Sequence, residues 1–437
     1  MISCRRILQK IVGGTRGKST AVSQINHVIS PATQSAIDLE LQYAAHNYGP
    51  IPVVIERAKG IYMWDVDGKK YFDFLSAYSA VNQGHGHPKI IEAMMNQIDK
   101  VALTSRAFHN DQLGPYSELV TKTMGYDKVL PMNTGVETGE TAVKLARRWG
   151  YRKKGIAPNQ AKVVFANNNF WGRTMAAVSS STDPTSYTDF GPYMPGFDMV
   201  PYNDLAAVKE LFEKEGENIA AIMLEPIQGE AGVVVPDDDY LPGIRKLCDE
   251  HNVLWINDEV QSGLCRTGKM LAVDYYPEVK PDILCLGKAL SGGVVPASAV
   301  LANDEVMLTI APGEHGSTYG GNPLACAVAK AALTVLIEED MSGMALRQGK
   351  KFKETLEGLN SPIIKEVRGK GLLNSVVVDD STDPLYAYKV CLKLAEEGLL
   401  TKPTHGNIIR FAPPLIITDQ EMDQALEILT KCLGKPL

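Results

Sequence analysis

Between residues 85 and 335 the chain alternates helix-spaced stretches with short apolar runs at 161–166, 219–225, 253–257, 283–287 and 297–301. Runs of this length with almost no polar residue predict strands covered on both faces. Their alternation with helices predicts a mostly parallel sheet between two helical layers. Ahead of this region, 38 to about 76 reads as a helix followed by a hairpin over 60–74, where Asp67-Gly68 separates two alternating, aromatic-rich runs. Past 336 the pattern changes to a helix at 345–358, strands near 362–378, a helix at 384–397, a short strand at 408–411 and a helix at 418–433. Helices and short strands grouped in this way predict a smaller α+β domain. The expected organisation is a basic N-terminal segment over 1–37, a hairpin-bearing segment over 38–84 that packs with the small domain, a large α/β domain over 85–335 and the small domain over 336–437.

A chain of 437 residues, 45% hydrophobic and 22% charged, is long enough for large cores and has the composition of a globular enzyme. Its net charge of −7 argues against nucleic acid or an anionic membrane as the main partner. No apolar run approaches the roughly 20 residues that span a bilayer. The seven cysteines are odd in number and form no CxxC pair, which points away from a disulfide framework or a zinc site and towards a reducing compartment. No acid precedes Asp38, whereas Arg5, Arg6, Lys10, Arg16 and Lys18 are interspersed with Ile7, Leu8, Ile11 and Val12. This is the composition of a mitochondrial transit segment able to form a cationic amphipathic helix, which predicts a matrix location. The other reading is a disordered basic tail on a cytoplasmic enzyme.

Lys288 stands alone after the apolar run 283–287, either as a surface lysine or as one presented to an aldehyde. Asp258 closes the run 253–257, in position to cap the next helix or to face a cationic ring nitrogen. Both fall at the expected carboxyl ends of sheet strands, where ligands of open α/β sheets bind. Together they suggest pyridoxal 5′-phosphate (PLP), which requires a Schiff-base lysine and an acid partner for its ring nitrogen. The segment 132–142 passes from a glycine-containing turn into a helix whose free N–H groups and dipole suit a phosphate, although such turns are common. Phe170 and Arg173 follow the run 161–166 and offer a ring to stack and a fork for a carboxylate, or simply a packed aromatic and a surface arginine. Ser317 and Thr318 sit in a glycine-dense loop that suits a phosphate or merely leads into an N-cap at Asn322-Pro323. Glu230 is a further acid beyond a strand-like run.

The span Asn257-Asp258-Glu259-Val260-Gln261, Lys288 and the loop Ser317-Thr318-Tyr319-Gly320-Gly321-Asn322-Pro323 resemble the fold-type I, class III PLP-dependent aminotransferases, a likeness that covers about 38–435. The runs His46-Asn47-Tyr48, 79–85, 169–174 and 410–415 resemble the branch of that family that acts on ornithine. The resemblance implies a homodimer that moves the δ-amino group of L-ornithine to 2-oxoglutarate. Lys288 would hold PLP and shuttle a proton, Asp258 would pair with the ring nitrogen and Gln261 would contact the ring hydroxyl. Phe170 would stack on the ring, and Gly135 and Val136 would hold the phosphate, with Ser317 and Thr318 reaching over from the second subunit. For substrates it implies Tyr48 and Arg173 at the ornithine α-carboxylate and Arg410 at the α-carboxylate of 2-oxoglutarate, with Arg173 at its distal one. Glu230 would mask Arg410, and Tyr78 would favour a terminal amine. Val136 and Thr138 depart from the commoner class III residues and bear on cofactor affinity. The rival reading is a related enzyme acting on N-acetylornithine or 4-aminobutyrate; a non-catalytic relative would have lost Lys288 or Asp258, and both are present.

Overall fold

Three sheets organise the computed structural model, which describes residues 29–437. The amphipathic helix expected around Ile7 and Val12 lies outside the described residues. The helix expected from residue 38 runs Pro31–Tyr43 and begins at an N-cap, with the Ser30 side chain accepting from the Thr33 N–H and Pro31 at the first helical position. Ser-Pro is a start signal in its own right, because proline gives up only an N–H that would be unpaired there anyway.

The hairpin forms with β1 (Ile55–Lys59) antiparallel to β2 (Tyr62–Asp65), and β2 antiparallel to β3 (Lys70–Asp73). Its turn is set by Asp65, whose carboxylate accepts from the N–H groups of Asp67 (3.0 Å) and Lys69 (2.8 Å). Gly68 there takes the left-handed conformation (φ 81°) that glycine tolerates without cost.

The central sheet contains β4 (Lys128–Met132), β5 (Lys162–Ala166), β6 (Phe197–Val200), β7 (Ile219–Leu224), β8 (Leu254–Asp258), β9 (Ile283–Leu286) and β10 (Ser298–Ala302), in the order β4-β10-β9-β8-β7-β5-β6. Every residue of β7, β8, β9 and β10 is buried, as strands covered by helices on both faces require. β10 is antiparallel to both neighbours, and the remaining pairings are parallel. β4 and β6 were not among the expected strands, and they are the two edges. Pro131 in β4 reads as a breaker but costs little where one side of a strand has no partner, and β6 is short and carries Asp198.

The last third holds β11 (Ile364–Lys370), β12 (Leu373–Val378), β13 (Leu399–Leu400), β14 (Lys402–Thr404) and β15 (Ile408–Phe411). The order β11-β12-β15-β14 is backed by the helices Met341–Gly358 and Tyr386–Glu396, on which Asp419–Leu433 packs, while β13 joins the first sheet beside β3. Arg266, fully buried, ties these parts together. Its Nε and Nη2 donate to the Asn82 side-chain oxygen (3.1 and 2.6 Å), and its Nη1 donates to the carbonyls of Leu372 (3.0 Å) and Pro413 (2.6 Å). Burial holds the guanidinium down to about 9, against the pull of Asp73.

Candidate active site

β4, β5, β7, β8 and β9 run in the same direction and deliver side chains to one edge of the sheet. The turns after them line a cavity of about 200 Å³: Gly135 and Val136 beyond β4, Phe170, Trp171 and Gly172 beyond β5, Glu225 beyond β7, Asp258, Val260 and Gln261 at and after β8, and Lys288 after β9. Asp258 pairs with Cys285 in register, so the lysine three residues on projects past the same edge. Lys288 is itself left-handed (φ 45°), a conformation unfavourable by roughly 1–2 kcal/mol for a residue with a Cβ. Strain of this kind collects at functional positions that the surrounding structure over-determines.

Three ionisable groups share this cavity, and burial moves each towards its neutral form. Asp258 is pushed up to about 6 by burial, against a hydrogen bond to its Oδ1 from the Val260 N–H (3.0 Å) and the charge of Lys288. Lys288 is lowered by burial, with Asp258 as the main opposing influence. Glu225 is pushed up to about 8 by burial and then by the charge of Asp258, although its carboxylate accepts from the N–H groups of Phe170 and Gly229, each at 3.2 Å. A buried lysine whose ammonium is disfavoured has the character of a general base.

The cradle beside them is built without slack. The helix Gly135–Trp149 opens with a capping box in which Glu137 accepts from the N–H groups of Thr134 (2.6 Å) and Asn133 (3.1 Å). This leaves the N–H groups at Gly135 and Val136 and the positive end of the helix dipole at the cavity wall. A Cβ on Gly135 would lie 2.8 Å from Val260 Cγ1, and one on Gly172 would lie 2.1 Å from Val136 Cγ2. The helix start, the loop after β5 and the turn after β8 therefore close on each other only because these two positions are glycine.

The outer part of the site is organised around Arg410, which is buried in β15. Its Nη1 meets Glu230 Oε2 and its Nη2 meets Gln261 Oε1, both at 2.5 Å. Tyr78 lies against the same guanidinium, 5.0 Å from Cζ to the ring centroid. It sits in a turn where Ser76, Ala77, Tyr78 and Ser79 all have positive φ (48°, 47°, 61° and 70°). Tyr48 is exposed, yet close enough to Tyr78 to act on its phenol electrostatically. Arg173 lies outside the cavity lining, over the Phe170 ring (5.5 Å), and donates to Ser186 Oγ (3.3 Å). Ser317 and Thr318 do not line the cavity of their own chain. Ser317 Oγ accepts from Asn133 Nδ2 (2.9 Å), and Thr318 is exposed. The bland reading of their loop also holds, because Asn322 caps the helix Pro323–Glu338.

A family model for aminotransferase class-III matches residues 43–433. The chain belongs to the class-III aminotransferases. It is 57% identical over 440 residues to the mitochondrial ornithine aminotransferase of Rattus norvegicus, covering 99% of each chain. A solved ornithine aminotransferase from Toxoplasma gondii, described with partial occupancy of PLP at its active site, superposes with TM-score 0.89 at 49% identity over 92% of this chain and 94% of that one. A structure described as an acetylornithine aminotransferase from Elizabethkingia anophelis superposes at 0.84 with 52% identity, covering 92% and 98%. In this class-III aminotransferase the residues that sequence reasoning had left without a role are Glu225, Trp171, Gly172 and Val260. Glu225 carried a usable signal, an acid at the carboxyl end of an otherwise apolar strand; the other three are set by packing between loops far apart in sequence.

Proposed function

We propose that this enzyme uses PLP to transfer the δ-amino group of L-ornithine to 2-oxoglutarate, giving glutamate 5-semialdehyde, which cyclises to pyrroline-5-carboxylate, and L-glutamate. The observation that carries the reading is the Arg410–Glu230 ion pair, joined through Gln261 to the cavity that holds Lys288 and Asp258. Ornithine has to present its terminal amine, although its α-amine lies beside a carboxylate that a free arginine would capture. With Arg410 occupied by Glu230 and Gln261, that carboxylate goes to Arg173 and Tyr48 instead, and the chain extends along Tyr78 towards Lys288. 2-Oxoglutarate has two carboxylates: Arg173 takes the distal one, and the α-carboxylate displaces Glu230 from Arg410.

The residues fit PLP. The glycine-limited helix start at Gly135 and Val136 suits the phosphate, Phe170 offers a ring face, and buried Asp258 suits a cationic ring nitrogen. Bound PLP supplies the electron sink that makes a proton on the amino-bearing carbon removable. Lys288, biased by burial towards its neutral amine, would serve as the base that takes that proton and the acid that gives it back at C4′. Gln261, whose oxygen accepts from Arg410, would hold the ring hydroxyl through its amide nitrogen. Ser317 and Thr318, exposed or turned away from their own cavity, complete the phosphate site of a second copy, so the working unit is a homodimer. The name of the rat relative and the basic, acid-free segment before Asp38 support a mitochondrial, matrix location.

The test is a single-turnover absorbance scan of the PLP-loaded enzyme with L-ornithine, N-acetylornithine or 4-aminobutyrate. Fast conversion of the cofactor to its amine form by ornithine alone, reversed by 2-oxoglutarate, is the expected result. Equal conversion by all three amines would instead mark a broad ω-aminotransferase.

A further inference from the structure

Tyr78 owes its place to a turn that L-amino acids resist. Four successive residues with side chains, 76–79, have positive φ, and the hydroxyls of Ser76 and Ser79 are buried without partners. Such a turn persists only if something outside it holds it. Asp73, buried at the end of β3, supplies the hold: its Oδ1 accepts from the N–H groups of Leu75 (2.9 Å) and Ser76 (2.8 Å). Its Oδ2 meets His85 Nε2 at 2.8 Å, and the His85 backbone is itself fixed by a two-way bridge to Gly60 (2.9 and 2.8 Å). On the far side the turn is bracketed by the run that carries Arg410. The Phe74 carbonyl accepts from the Ala412 N–H and the Asn82 carbonyl from the Leu415 N–H, both at 2.8 Å.

We propose that Asp73 and His85 are positioning residues for donor choice: His85 orients the Asp73 carboxylate, Asp73 locks the left-handed turn, and the lock holds the Tyr78 ring against Arg410 so that a terminal amine is preferred over an α-amine. The inference rests on the ornithine reading above. Neither residue lines the cavity, so each acts through Tyr78. A residue of merely structural importance would lower the amount of active enzyme and scale both donors equally, whereas a positioning residue changes their ratio.

The experiment measures kcat/KM of the PLP-loaded holoenzyme in separate half-reactions with L-ornithine and L-glutamate, for wild type, His85→Leu, Tyr78→Leu and the double variant. His85→Leu removes the partner that orients the Asp73 carboxylate while keeping the carboxylate itself, and His85→Gln restores a donor towards Oδ2. We expect His85→Leu to lower the ornithine-to-glutamate ratio about fivefold or more, His85→Gln to recover part of it, and His85→Leu to add nothing in the Tyr78→Leu background. A parallel loss with both donors, or effects of His85→Leu and Tyr78→Leu that simply multiply, would overturn the lock. A wild-type enzyme inert towards ornithine would overturn the functional reading instead, and the coupling of His85 to Tyr78 would still be decided by the glutamate rates.

Discussion

Arg410 and Glu230 form an ion pair of unequal members: they meet at 2.5 Å, but the arginine side chain is 2% exposed and the glutamate 31%. The arginine is held by β15 and Gln261, so the glutamate is the member free to swing away when a carboxylate arrives. Glu230→Ala therefore leaves Arg410 open at all times. It should raise kcat/KM for L-glutamate relative to L-ornithine by roughly tenfold, equivalent to about 1.4 kcal/mol. Steady-state and half-reaction kinetics with both donors check this, and an unchanged ratio would remove Glu230 from the account.

A pH slope follows from Glu225 and Asp258. A carboxyl whose folded-state pKa is raised binds more protons when folded than when unfolded. Its stabilising contribution is complete below the ordinary value and is lost as pH rises through the raised one. For Glu225 that window runs from 4.5 to about 8, and for Asp258 from 3.8 to about 6. The cofactor-free protein should thus lose thermal stability between about pH 5 and pH 8 through Glu225. Glu225→Gln should flatten that decline, as read from unfolding midpoints across the range; an identical slope in the variant would show that Glu225 is already ionised in the fold.

Gly172 tests the cradle. It combines φ 145° with a Cβ position 2.1 Å from Val136 Cγ2, so alanine there must push back the start of the helix Gly135–Trp149. Gly172→Ala should weaken PLP binding by about tenfold or more, measured by titration of the cofactor-free protein. Trimming the obstacle in a Gly172→Ala, Val136→Ala double variant should recover part of the affinity. Full affinity in the single variant would mean that the helix start does not hold the phosphate.

Arg266 predicts a stability effect. Arg266→Met leaves the Asn82 side-chain oxygen and the carbonyls of Leu372 and Pro413 buried without their donor. Each lost partner costs about 1–3 kcal/mol, so unfolding should become easier by about 3 kcal/mol or more. Lysine should not rescue it, because a single ammonium cannot reproduce the planar fork. Denaturant unfolding of the PLP-free variants gives the comparison.

The parts of this protein legible in its sequence are those that one stretch of chain decides for itself. The apolar strands around β7, β8 and β9 were readable because burial on both faces leaves only apolar residues, and Asp258 and Lys288 were readable because they end those strands. β4 and β6 were not, since an edge strand is free to carry Pro131 or Asp198. The resemblance supplied Glu230 and Arg410 as partners. Spacing alone could not have paired residues 180 positions apart, and the structure brings them to hydrogen-bonding distance. The left-handed turn at 76–79 left no trace, because Ser-Ala-Tyr-Ser contains no glycine or asparagine to announce positive φ; its cause lies outside it, in Asp73 and in the backbone of 412–415.

The hydrogen bonds from Ala412 to Phe74 and from Leu415 to Asn82 divide the protein's labour along the chain. Of the residues that the proposed reading gives to substrate choice, Tyr48, Tyr78 and Arg410 sit on two segments, 48–85 and 402–415, stitched to each other, whereas Arg173 and Glu230 come from the stretch 135–288 that also lines the cavity. Variation in the stitched layer can therefore shift Tyr78 and Arg410 together, while Glu230 and Arg173 tie any such shift to the layer that lines the cavity.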